Sequence, residues 1–73
     1  MQRRPIRSTS LKAVGYDATT ETLEIEYRHG SLVRYTGVPA ALYEALLQVP
    51  GKAMFVEQVI ERSGYGRQQV RGS

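Results

Sequence analysis

Within one stretch, from Leu23 to Leu47, the spacing of apolar residues changes from alternation to a helical period. Leu23, Ile25 and Tyr27 alternate with Glu24 and Glu26, the pattern of a strand covered on one side only. Val33 and Tyr35 flank Arg34 in a second alternating run. Beyond it, Leu42, Ala45, Leu46 and Val49 recur at i, i+3, i+4 and i+7, and Tyr43 and Leu47 widen the stripe, which predicts a helix burying one face. Pro39 suits the first helical position, where its missing N–H has no helical acceptor to lose. Pro50-Gly51 ends this helix. A second is expected from about Lys52 to Arg62, with Phe55, Val56, Val59 and Ile60 on its apolar edge. Ser63-Gly64 suits its C-terminus, and Tyr65 folds back on the last turn.

Ahead of the clear strand, Ser10 to Tyr16 reads as another, with Val14 and Tyr16 on one face and Leu11, Ala13 and Gly15 on the other. Asp17 to Glu21 makes the turn between them. The hairpin near His29 has two registers. A two-residue loop, His29-Gly30, sets Val33 and Tyr35 on the face of Glu24 and Glu26. A three-residue loop, Arg28-His29-Gly30, pairs Ile25 with Val33, Leu23 with Tyr35 and Glu24 with Arg34. The second gathers the apolar residues on one side, opposes unlike charges on the other and places Gly30 where a left-handed residue is wanted. It is the register expected here.

These elements make an α+β fold: a three-stranded antiparallel β-meander followed by two short α-helices packed on one face. The domain is expected at residues 10–65, with a flexible basic lead-in at 1–9 and a flexible tail at 66–73 that lacks apolar density. Seventy-three residues lie near the lower limit for a domain without a staple. With no cysteine, neither a disulfide nor a thiolate metal site can form, and the single histidine, His29, rules out a multi-histidine site in one chain. No cofactor motif and no membrane-spanning apolar run is present. The basic start lacks the apolar core of a signal peptide, and a cytoplasmic location is the default expectation.

The net charge of +3 is unevenly placed. Arg3, Arg4 and Arg7 precede the first expected strand, and Arg67 and Arg71 follow the last helix. Between them stand five basic residues against seven acidic ones, so the two ends carry the whole basic excess. Arginine-bearing arms attract polyanions, whereas nucleic-acid binders usually add a basic stripe on a folded face.

Leu11, Gly15-Tyr16-Asp17, Leu23 to Tyr27, Gly30, Val33-Arg34-Tyr35, Val38-Pro39 and Tyr43, continued by Lys52 to Ile60 and Tyr65, resemble the KTSC domain family. The likeness runs from about Ser10 to Tyr65. This short bacterial module is named for its occurrence at the C-terminus of some lysyl-tRNA synthetases, and it also stands alone. The resemblance implies a binding module for which RNA has been suggested as the ligand. The family hallmark is a central Tyr-x-Tyr; here Tyr35 keeps the second position and Val33 replaces the first.

Tyr35 has two readings, a core anchor whose hydroxyl meets a polar partner, or a stacking platform for bases. The register favours the core. Arg34 opposite Glu24 reads first as a cross-strand ion pair. Lys52 at the second helix start could meet an anion together with free amides, although the glycine spacing of a phosphate loop is absent. Lys12, Arg34, Tyr35, Lys52, Tyr65 and Arg67 are the candidate nucleic-acid or anion contacts. No nucleophile elbow, metal-ligand spacing or paired-carboxylate cleft can be named, so no catalysis is expected. The leading expectation is a non-enzymatic module that binds RNA or another nucleic acid. A protein-interaction module that self-associates as a homodimer through an edge strand is the second. Sequestration of an anionic metabolite or nucleotide is the third.

Overall fold

A computed structural model describes residues 3–72. Five antiparallel strands lie in sequence order, β1 Arg3–Pro5, β2 Leu11–Asp17, β3 Thr22–Tyr27, β4 Leu32–Thr36 and β5 Gly66–Arg71. Between β4 and β5 run α1, Ala40–Gln48, and α2, Lys52–Phe55; the latter continues without a break through a π-helical turn, Val56–Ile60, and a 3-10 turn, Glu61–Ser63. The expectation of a three-stranded meander is therefore corrected to five strands. The two extra strands come from the segments placed outside the domain. Met1, Gln2 and Ser73, at the outer ends of those segments, lie outside the described residues.

The central hairpin has the expected register. Ile25 opposes Val33, Leu23 opposes Tyr35 and Glu24 opposes Arg34. The Tyr27 N–H donates to the Ser31 carbonyl at 2.9 Å, which closes the three-residue loop. Gly30 has φ +108°, a conformation that a side chain would strain.

On β2 the facing differs from expectation. Alternation would separate Leu11 from Val14, yet both are fully buried in the core. A β-bulge between Leu11 and Ala13 inserts Lys12 and turns the strand by one residue, returning Leu11 to the apolar side. Pro39 also moves by one place: it is the extended N-cap of α1, with φ −65° and ψ 148°, and Ala40 is the first helical residue.

One face of the sheet takes the helices. Leu11, Val14, Leu23, Ile25, Val33, Tyr35 and Val38 pack with Leu46, Val56 and Ile60 into a single buried cluster. Tyr16 stacks on Tyr43 of α1 with ring centroids 5.1 Å apart, and its hydroxyl donates to the Val38 carbonyl at 2.5 Å. The helical run ends at left-handed Gly64, and the chain re-enters the sheet at Gly66. A Cβ on Gly66 would lie 2.2 Å from Thr36 Oγ1, so a side chain there would force Thr36 to turn away as β5 closes on β4.

Candidate nucleic-acid interface

The basic residues around β1 fall into two surroundings, separated by the direction in which β1 points its side chains. Arg3 pairs in register with Gly15 and faces the helix-free side of the sheet; Arg4 pairs with Val14 and faces the helical side.

On the helix-free side the charges compensate one another. Glu24 is only 3% exposed, and it accepts hydrogen bonds from Arg3 and from Arg34 Nη2, the latter at 2.7 Å. Glu26 pairs with Arg3 at 3.4 Å and with Arg71 Nη2 at 3.0 Å. Burial pushes the Glu24 carboxyl up, but the hydrogen bonds and charges of Arg34 and Arg3 more than offset it and hold the group below the usual carboxylate range. Glu26 is also held low, first by its hydrogen bond from Arg71 and further by Lys12 and Arg3. Thus Arg3 and Arg71, both expected in mobile arms, tie β1 and β5 to the centre of the sheet.

On the helical side the arrangement is different. A groove of about 470 Å³ opens between the chain around β1 and the end of α1. Arg4, Arg7 and Lys52 line it over a floor of Pro5, Ile6 and Leu47, and no carboxylate lines it. Among the described residues, the Arg4 and Arg7 side chains have no hydrogen-bond or ion-pair partner. Lys52 Nζ donates to the carbonyls of Val49, at 2.6 Å, and Leu47, at 3.3 Å. These carbonyls end α1, where a cation is favourable. An ammonium has three protons, so one remains for a ligand.

The sequence-predicted contacts are scattered among three places. Lys52 lies in the groove. Arg34 lies on the helix-free face, ion-paired to Glu24, and Lys12 is exposed at the bulge, near enough to act on Glu26. Tyr35 and Arg67 meet on the helical side around Glu61: the Tyr35 hydroxyl donates to Glu61 Oε1 at 3.2 Å, and Arg67 Nε lies 3.9 Å from the same oxygen. Tyr35 is 1% exposed, and burial above all pushes its phenol well up; Tyr27 and Glu61 add to this while Arg67 opposes it. A ring so placed anchors the core and cannot receive a base. Tyr65 is half-buried against the core. Arg4 and Arg7 were missed as contacts because no apolar alternation around them signals a strand; the signal available was two arginines three residues apart, flanking Pro5-Ile6.

A second pocket, of about 390 Å³, lies near the β3–β4 turn and includes Tyr27, His29, Val56, Glu57 and Glu61. It has two carboxylates and neither lysine nor arginine, so it opposes anions. No group of three or more histidine, cysteine, aspartate or glutamate residues among the described ones is placed to hold a metal ion. No helix of the described residues is long and apolar enough to cross a membrane.

A model of the KTSC domain matches residues 7–65. The chain belongs to the KTSC domain family. An uncharacterized protein of Stutzerimonas stutzeri is 35% identical over 65 residues, covering 89% of this chain and 92% of that protein. A lysine–tRNA ligase of Nostoc is 35% identical over 51 residues, covering 70% of this chain but 9% of the ligase. A crystal structure of a KTSC domain protein from Yersinia pestis superposes with a TM-score of 0.85 at 28% identity, covering 94% of this chain and 96% of the other. That coverage carries the shared KTSC architecture beyond residues 7–65, toward the outer strands.

Proposed function

We propose that this KTSC domain is a non-enzymatic RNA-binding module that holds the phosphate backbone in the groove of Arg4, Arg7 and Lys52. The observation that carries this reading is the contrast in charge pairing. Arg3, Arg34 and Arg71 are engaged by carboxylates, while Arg4 and Arg7 have no such partner and face the same groove as Lys52. An anion entering the groove meets three cations and displaces no internal ion pair. Cations of this kind act on phosphates by counterion release and give affinity without sequence information. The likeness to a segment of a lysine–tRNA ligase, a protein named for work on tRNA, supports RNA as the polyanion.

Self-association through an edge strand is less well supported. The strands that a three-stranded meander would leave as edges, β2 and β4, are interior, and β1 and β5 take the edges. β1 has three residues including Pro5, and β5 is bulged at Val70 and carries Arg67 and Arg71. Short length, proline, bulges and charge all discourage pairing with another chain.

The test is a titration of the whole chain against structured RNA at two salt concentrations. Binding at low salt that weakens steeply at higher salt is expected. Absence of binding at low salt would overturn the proposal. Full competition by a free mononucleotide would replace it with sequestration of a small anion.

A further inference from the structure

Among the described residues, the cationic surfaces carry arginine and lysine but offer no open aromatic ring. Arg4, Pro5, Ile6, Arg7, Leu47 and Lys52, which line the groove with Gln48, include none. On the helix-free face, the residues in register across the five strands are Arg3, Gly15, Glu24, Arg34 and Gln68, again without a ring. The tyrosines are committed elsewhere: Tyr35 is buried, Tyr16 is stacked on Tyr43, Tyr27 is stacked on His29, and Tyr65 packs against the core. Single-stranded RNA is held largely by bases laid on aromatic rings. Helical RNA keeps its bases stacked inside and is recognised through shape, phosphates and 2′-hydroxyls.

The placement of cations points the same way. Alternation along β1 sends Arg3 to one side of the sheet edge and Arg4 to the other. Lys12, exposed at the bulge next to Ala13, which pairs with Glu26, lies toward the Arg3 side, and Arg7 and Lys52 join Arg4. Arg3 itself is held by Glu24 and Glu26, so on its flank Lys12, which has no hydrogen-bond or ion-pair partner among the described residues, is the cation left for a ligand. With Arg4, Arg7 and Lys52 on the other flank, the edge suits a ligand with two rows of phosphate.

We propose that the β1 edge binds helical RNA in preference to single-stranded RNA, contacting phosphates of both strands and stacking on no base. This rests on the RNA-binding reading above and names the class of RNA.

The experiment compares the full chain binding to a blunt RNA duplex and to an unstructured single strand with the same number of phosphates, at one low salt concentration. The duplex is expected to bind about tenfold more tightly at low salt, because with no stacking to favour the single strand, the denser charge of the duplex releases more counterions per phosphate contacted. Equal or tighter binding of the single strand would overturn the preference and leave RNA binding standing. No binding of either would overturn RNA binding itself. Lys12→Gln supplies a second readout. It is expected to lower duplex affinity and reduce its salt slope by about one, leaving single-strand binding unchanged. An unchanged duplex slope would remove the second flank from the proposal.

Discussion

The two sides of the β1 edge use the same residue type for different ends. On the helix-free face Arg3, Arg34 and Arg71 surround Glu24 and Glu26, and their charge serves to tie β1, β4 and β5 to β3. Across the edge, Arg4 and Arg7 meet no carboxylate among the described residues, so no ion pair of theirs supports the fold. Counting arginines therefore says less about a ligand than asking which of them already have partners. Two consequences separate the sides and a third tests the buried Tyr35, from the largest expected effect to the smallest.

Glu24→Ala leaves Arg3 and Arg34 without their nearly buried partner. The expected cost is about 2 kcal/mol, below that of a fully buried pair because both arginines stay partly in water. In a domain of this size that is a drop in Tm of roughly 10 °C. RNA affinity should not fall; a fall would mean that the Glu24 cluster, and not only Lys12 beside it, takes part in binding. The same carboxylates set the acid limit of stability. Both are held below the usual carboxylate range in the folded chain, so the stability they add is complete above about pH 4.3. It is lost as pH falls through their lowered values. Thermal melts at decreasing pH should show this limb, and Glu24→Gln should flatten it.

Arg4→Ala combined with Arg7→Ala has the opposite profile. Stability should stay within about 0.5 kcal/mol of the parent, as for surface positions without packed contacts. Affinity for RNA at low salt should fall by about tenfold, with a salt slope smaller by about two. A stability loss with unchanged affinity would reverse the roles assigned to the two sides.

Tyr35→Phe removes the hydroxyl that donates to Glu61 and keeps the buried ring. A cost of about 1 kcal/mol is expected in denaturant unfolding, with RNA affinity unchanged. Weakened RNA binding at equal stability would restore Tyr35 as a contact.

What could be read from the sequence follows from the range of the interactions involved. The β3–β4 register was legible because Leu23, Ile25, Val33 and Tyr35 admit one loop length that gathers them together, and Gly30 fits that loop. The second helical run was legible in extent from Phe55, Val56 and Ile60, although not its π turn. β1 and β5 were not legible. Arg3-Arg4-Pro5 and Gly66 to Arg71 have no apolar alternation; backbone pairing and ion pairs to Glu24 and Glu26, distant in sequence, hold them. The bulge at Lys12 was hidden for a similar reason, since one inserted residue leaves composition unchanged. Lys52 was identified as a candidate from its position after Pro50-Gly51. Its groove was not, because Arg4 and Arg7 reach it only once β1 has joined the sheet.

The most direct test of the groove is to follow backbone amide resonances while RNA is added at low salt. Perturbations concentrated at Arg4 to Arg7 and at Leu47 to Lys52, reversed by added salt, are the predicted result. Perturbations confined to Glu24, Arg34 and Gln68, or to the pocket of Tyr27 and Glu57, would contradict it.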